Sequence, residues 1–221
     1  MNPLAYLVVT LLVVVFFLIR AEFADQRRQI YFLKPLATLL VMSVATLALF
    51  QAEHNMNYTQ FILGGLVFSL GGDIALMFPK NKKAFSVGLG LFLTAHIIYA
   101  SIFFRLGHAS SWSLFGLVIL AIFGFGFYRI IHQKLGSMKL PVIAYIIIIS
   151  GMAVGAAMLF ENPSFDGGRA MIILVGAILF YISDIILAAN RFWKEWKYNR
   201  ISLAFYYSGQ LLIALSTSWP G

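Results

Sequence analysis

Apolar residues fill this chain in eight long stretches, separated by short polar connections. The stretches run over about 3–19, 31–50, 59–78, 85–104, 112–131, 141–160, 170–190 and 201–218. Each holds about 16 to 20 residues, close to the ~20 that a helix needs to cross a bilayer core. In lipid a backbone must satisfy its own polar groups, so such stretches predict helices. The expected fold class is therefore an all-α membrane protein: one bundle of eight transmembrane helices over 1–221, with short loops.

Two acids break the pattern. Asp73 lies in Phe68-Ser69-Leu70-Gly71-Gly72-Asp73-Ile74-Ala75-Leu76-Met77-Phe78, and Asp184 lies in Phe180-Tyr181-Ile182-Ser183-Asp184-Ile185-Ile186-Leu187. No other acid falls inside an apolar stretch. A carboxylate in a span is costly and by default marks a functional site. Both lie about five or six residues before the inner ends of their stretches, so at about 1.5 Å per residue they are expected at similar depth.

Charge gives the orientation. Arg20, Arg27, Arg28 and Lys34 surround the first connection, Lys80, Lys82 and Lys83 the third, Arg129, Lys134 and Lys139 the fifth, and Arg191, Lys194, Lys197 and Arg200 the seventh. The even connections hold only Arg105 and Arg169, beside Glu53, Glu161 and Asp166. That alternation predicts eight crossings, with the basic loops in the cytoplasm and both termini outside it. In a bacterium this would be the inner membrane. Leu4 to Ile19 has no basic region before it and no small-residue cleavage site, so it is expected to stay as the first helix.

Composition agrees. The chain is 61% hydrophobic and 11% charged, against roughly a quarter charged in soluble domains. It has no cysteine, which excludes disulfides, thiolate metal sites and a cysteine nucleophile. The net charge of +8 follows from the positive-inside bias and needs no nucleic-acid partner.

The two acidic regions resemble each other. Gly65, Asp73, Ile74, Leu76 and Lys80 align without gaps to Gly176, Asp184, Ile185, Leu187 and Arg191. With a small insertion, Leu93-Thr94-Ala95-His96 falls opposite Tyr207-Ser208-Gly209-Gln210. This predicts a parallel four-plus-four internal repeat about an axis along the membrane normal, which would draw the two aspartates together.

Other polar residues in the spans are candidates for binding substrate. His96 and Tyr99 share a face of helix four, and Tyr206 and Gln210 share one of helix eight beside Tyr207. Asn190 and Arg191 end helix seven. Lys34 precedes Pro35, which fits a helix start, and either snorkels to the interface or turns inward to an anionic group. Each also has a structural role open to it: interfacial aromatics for the tyrosines, interhelical glue for Gln210, and a core hydrogen bond for His96. Gly71-Gly72 lets another helix or a substrate approach just before Asp73. Gly151-x-x-x-Gly155 fits close helix packing, and Pro141 fits the start of helix six. Trp112, Trp193, Trp196 and Trp219 lie near span ends, as in an aromatic belt.

No dinucleotide fingerprint, P-loop or G-x-S-x-G elbow is present. Of four histidines only His96 is well inside a span, whereas a catalytic zinc takes about three protein ligands. No metal or cofactor is therefore expected. Two carboxylates near each other in a low-dielectric site share protons unevenly, giving one acid and one base. The sequence leaves open which is which, and a coupled pair titrates as a unit.

The motifs resemble the YhhN-like membrane family, whose characterised members are lysoplasmalogenases. The matching stretches are Lys34-Pro35, Phe68-Ser69-x-x-Gly72-Asp73, Gly88-x-Gly90-x-Phe92-x-x-x-His96-x-x-Tyr99, Pro141-Val142-x-x-Tyr145, Gly176-x-x-x-Phe180-x-x-Ser183-Asp184 and Tyr206-Tyr207-x-x-Gln210. They span nearly the whole chain; Gly209 departs from an expected Ala. The resemblance implies hydrolysis of the vinyl ether bond of a lysoplasmalogen, of choline or ethanolamine type, to a fatty aldehyde and a glycerophospho-head group. On that reading Asp73 and Asp184 are catalytic. Lys34, His96, Tyr99, Asn190, Tyr206, Tyr207 and Gln210 bind the lysophospholipid or orient water, and Lys34 or Arg191 holds its phosphate. Two other readings fit the same residues: a proton-coupled transporter or flippase of a lipid or small amphiphile, and a lipid-binding protein without activity.

Overall fold

The structure is a computed structural model that describes residues 3–50, 55–78, 81–163 and 165–218. Glu53, His54, Lys80 and Trp219 lie outside the described residues. The described chain is helical and holds no strand. Its helices are α1 (Pro3–Phe23), α2 (Arg27–Leu47), α3 (Met56–Leu76), α4 (Lys82–Leu106), α5 (Ser111–Ile131), α6 (Lys139–Met158), α7 (Gly167–Phe192) and α8 (Ser202–Leu215). Seven are long and apolar enough to cross a membrane. The eighth has 14 α-helical residues, but single 3₁₀ turns continue it at both ends, over 199–218. At about 1.5–2.0 Å per residue that rod is about 30 Å long, a bilayer core.

Local chemistry sets the ends. Asn55, Asn81 and Asp166 accept hydrogen bonds from the first-turn amides of α3, α4 and α7. Ser110 and Ser113 cap α5 reciprocally. These side chains satisfy amides that have no partner within the helix. Trp112, Trp193 and Trp196 are exposed.

The polar residues Arg27 to Gln29 join α2, so that helix starts earlier than its apolar run. Lys34 and Pro35 consequently do not open it. Pro35 lies well inside, where it removes the hydrogen bond to the Tyr31 carbonyl. Pro141, by contrast, stands in the first turn of α6, where its missing N–H is harmless.

Six helices close into a ring: α2 packs on α3, α3 on α4, α4 on α6, α6 on α7, α7 on α8, and α8 back on α2. Outside it, α1 lies on α2 and α5 lies on α6. Exchanging α1–α4 for α5–α8 maps these principal neighbour relations onto one another.

Glycines set the closest approaches. A Cβ on Gly209 would fall 2.7 Å from the Gly176 carbonyl oxygen and 3.0 Å from the Phe180 amide. The departure at this position therefore brings α7 and α8 into backbone contact. The helix that approaches Gly72 is α4, whose Phe92 ring a Cβ there would meet at 2.6 Å. Gly155 likewise lies against α4, at Phe103.

Gly209→Ala is expected to overpack α7 against α8 by about 1–3 kcal/mol, lowering the melting temperature in detergent by roughly 2–10 °C. Gly116→Ala, with open space around it, is the control and leaves it unchanged or slightly raised. Equal effects at both sites would show that the α7–α8 contact is not tight.

Candidate active site

The sequence of α2 puts Lys34 and Thr38 one turn apart, so both face the same neighbour. That neighbour is Asp73 of α3. Thr38 Oγ1 donates to Asp73 Oδ2 at 2.6 Å, and Tyr206 of α8 donates to the same oxygen at 2.7 Å. Lys34 Nζ lies 3.6 Å from Asp73 Oδ1, with both side chains at least nine-tenths buried. Lys34 thus turns inward, and its charge faces Asp73.

Behind Tyr206 the donors form a line. Tyr99 donates to Gln210 Oε1 at 3.1 Å, and Gln210 Nε2 donates to the Tyr206 hydroxyl at 3.2 Å. Tyr207 donates to the Lys34 carbonyl at 3.1 Å. Tyr99, Gln210 and Tyr207 therefore act on the Asp73 cluster from behind and do not face open space.

Asp184 of α7 has a second set of partners. Tyr145 of α6 donates to its Oδ2 at 2.6 Å. His96 of α4 brings Nε2 to 3.4 Å from the same oxygen. The other ring nitrogen, Nδ1, is bonded to the Phe92 carbonyl.

Both aspartates line one cavity of about 410 Å³. Its wall also carries Glu22, Lys34, Ser183, Asn190, Arg191, Glu195, Arg200 and Tyr206. Arg200 pairs with Glu22 at 3.4 Å, and Arg191 stacks over Phe85 at 4.7 Å. Asn190 is in the wall, but its Oδ1 accepts from the Trp196 amide and from Asn199 Nδ2, so it chiefly fastens the connection to α8. Equal spacing of the aspartates from their helix ends is not found: α3 ends at Leu76, whereas α7 runs on to Phe192. Pro79 follows α3 in the sequence and disfavours the α conformation just before it.

An apolar cleft adjoins the cavity. Phe123 and Phe127 of α5 close it over Leu89, Val142, Tyr145, Ile146, Ile149 and Tyr181. Asp184, Phe92, Phe85, Leu76 and Leu187 belong to both spaces; Asp73 belongs only to the polar one. Among the shared residues Phe92 is edge-on to Tyr206 at 5.7 Å and to Phe180 at 6.3 Å.

Sequence reasoning did not single out Thr38, Tyr145 or Phe92 as site residues. The i, i+4 spacing from Lys34 was a signal for Thr38, and Tyr145 and Phe92 stand inside matched motifs. Among the described residues no three His, Asp or Glu side chains gather closely enough to share a metal ion.

A sequence profile of the YhhN family matches residues 29–217. The chain is 35% identical to human lysoplasmalogenase TMEM86B over 162 residues, 72% of this chain and 64% of that protein's length. It is 28% identical to bovine lysoplasmalogenase TMEM86A over 196 residues, 81% and 77% of the two chains. It is 26% identical to the uncharacterized membrane protein YhhN of Escherichia coli O157:H7 over 200 residues, 89% and 90% of the two. No solved structure matches the chain significantly.

Lys34→Met would leave Asp73 buried without its cation, which costs about 3–5 kcal/mol. The expected fall in melting temperature is roughly 10 °C. Adding Asp73→Leu removes the stranded charge and recovers most of the loss. A double variant no more stable than Lys34→Met would mean that the pair is not a stabilising unit.

Proposed function

The chain belongs to the YhhN family, and from that premise we propose that it is a hydrolase of the vinyl ether bond of a lysoplasmalogen. The chain is an integral, multi-pass membrane protein. The observation that carries the reading is the position of Asp184, where an apolar cleft meets a polar cavity that also holds Asp73. A lysoplasmalogen has one long chain and one polar head group, and its vinyl ether lies where the two join. With the chain in the cleft and the head group in the cavity, the bond falls beside Asp184. Each buried methylene contributes about 0.8 kcal/mol to holding the chain.

The reaction uses two carboxyl groups. One protonates the chain-side vinyl carbon, leaving an oxocarbenium ion on the ether carbon and oxygen. The other stabilises that cation and takes a proton from the water that attacks the ether carbon. The hemiacetal then loses its hydroxyl proton as C=O forms and breaks its bond to the glycerol oxygen, which receives the bond's electron pair and the proton that the second carboxyl group took from water. The products are an aldehyde and a glycerophospho-head group. Glycosidases handle a similar cation with two carboxyl groups.

Arg191 on the cavity wall is suited to the phosphate, since Lys34 is engaged by Asp73. The basic residues near the cavity support a mouth on the cytoplasmic side, as the positive-inside rule would have it. The paired neighbour relations and the two aspartates on one cavity support a parallel four-plus-four repeat about an axis along the normal.

Purified protein in detergent is expected to release fatty aldehyde from a lysoplasmalogen. In heavy water that aldehyde carries one deuterium on the carbon next to its carbonyl. Asp73→Asn and Asp184→Asn, if folded, each lose about 10²–10⁴-fold. Inactive wild type, or variants with full activity, would overturn the two-carboxyl reading.

A further inference from the structure

The two carboxyl groups are built alike but equipped differently. Asp73 on α3 takes donors from α2 and α8; Asp184 on α7 meets groups from α6 and α4. These are corresponding helices under the exchange of halves. Around Asp73 the partners are a lysine and two hydroxyls. Around Asp184 they are a tyrosine and an imidazole.

That imidazole is constrained. His96 is fully buried, and its Nδ1 faces the Phe92 carbonyl. A carbonyl only accepts, so Nδ1 carries a hydrogen. Nε2 is buried with no hydrogen-bond partner, and it faces Asp184 Oδ2 at 3.4 Å. If the ring were neutral and Asp184 ionised, a lone pair would confront a carboxylate with no proton between them. Two arrangements remove that conflict: an imidazolium beside a carboxylate, or a neutral ring beside a carboxylic acid. Both contain the same additional proton.

Asp73 has no such need. Lys34 is a buried cation whose one carboxylate neighbour among the described residues is Asp73, and a buried cation keeps its counter-ion. Thr38 and Tyr206 both donate to the same oxygen of Asp73. Nothing in this set takes a proton from it.

We infer that His96 and Asp184 jointly hold one transferable proton, so that Asp184 is the acid of the reaction and Asp73 its carboxylate. The inference rests on the hydrolase reading above for its consequence, though the shared proton does not. The cavities agree with the assignment. Asp184 borders the apolar cleft, on the side of the carbon to be protonated, and Asp73 borders only the polar cavity, on the side of water. In the step, the proton leaves the pair for the chain-side vinyl carbon, whose π electrons form the new C–H bond. Water then adds to the ether carbon and gives its proton to Asp73. That proton passes to the glycerol oxygen as the C–O bond breaks, while the hemiacetal hydroxyl gives its proton to Asp73 and its O–H electron pair forms the aldehyde C=O bond. The net change is one water consumed, with a proton returned to the His96–Asp184 pair from solvent as Asp73 releases the one it took from the hemiacetal. His96 touches no substrate on this account; it is a positioning residue that shares the proton of Asp184.

The test is magnetic resonance at neutral pH on the whole chain in detergent micelles. Replacing His54, His108 and His132 by Gln leaves His96 as the one histidine, for ¹⁵N observation. Replacing Asp25 and Asp166 by Asn leaves Asp73 and Asp184 as the only aspartates, for ¹³C observation of the carboxyl carbons. Asn caps a helix as well as Asp does, so α7 is kept. Asp73→Asn then tells the two carboxyl signals apart. The expected result is an ionised Asp73, with either a doubly protonated His96 beside ionised Asp184 or a singly protonated His96 beside carboxylic Asp184. A neutral His96 beside an ionised Asp184, or a protonated Asp73, overturns the inference. Aldehyde release by the same sample tests the hydrolase reading separately. In an active enzyme, His96→Gln is expected to lose about 10²-fold and to change the carboxyl signal of Asp184 but not that of Asp73. Loss of activity with both signals unmoved would also overturn it.

Discussion

A carboxylate inside a membrane bundle must find its donors in protein, because the surrounding lipid offers none. This requirement organises the fold. Asp73 draws Lys34 and Thr38 from α2 and Tyr206 from α8, so satisfying one side chain joins the second helix to the last. The α2–α8 seam is fastened again by Tyr207 on the Lys34 carbonyl and by Thr217 on the Ala45 carbonyl. It is this seam that closes the six-helix ring. The glycines answer the same demand. Donors of fixed length reach a carboxylate only if backbones come close, and Gly209 against Gly176 provides that approach for α8.

The second carboxylate is less enclosed. The Asp184 side chain is 14% exposed, against 2% for Asp73. On the proposed reading this fits the acid, which must meet a carbon of the substrate chain at the mouth of the apolar cleft. Phe92 lines both the apolar cleft and the polar cavity, and its carbonyl accepts from Nδ1 of His96. One residue thus takes part in the boundary between the apolar and polar spaces and, on the inference above, in placing the proton that His96 and Asp184 share.

Much of this was legible in the chain because bilayer crossing is written in long apolar runs, and a lone aspartate within such a run is conspicuous. Asp73 and Asp184 stood out for that reason, and they do share a cavity. What hydropathy cannot register is a polar residue that belongs to a helix. Arg27 begins α2, but the apolar run begins later, which moved the expected helix start towards Lys34 and Pro35. Thr38 and Tyr145 were obscured for the opposite reason: a threonine or tyrosine is ordinary in a span, and only the carboxylate opposite gives it a role. The division of partners between the two aspartates was equally hidden, since it depends on which helices meet.

The position of α5 completes the physical picture. It lies outside the ring against α6, exposes most of its apolar residues, and still places Phe123 and Phe127 over the cleft beside Asp184. Gly124, between them, lets α5 approach Ile146, where a Cβ would fall 2.7 Å away. The cover of the cleft is therefore the helix with the fewest ties to the rest of the bundle. On the proposed reading this is the economical place for an entrance. A lipid chain moving in from the bilayer never leaves apolar surroundings, and its head group enters the cavity where the arginines stand. The acid then needs to face only the junction. An aldehyde can depart through the cleft and the head group through the cavity, so the partition that recognises the substrate also separates the products.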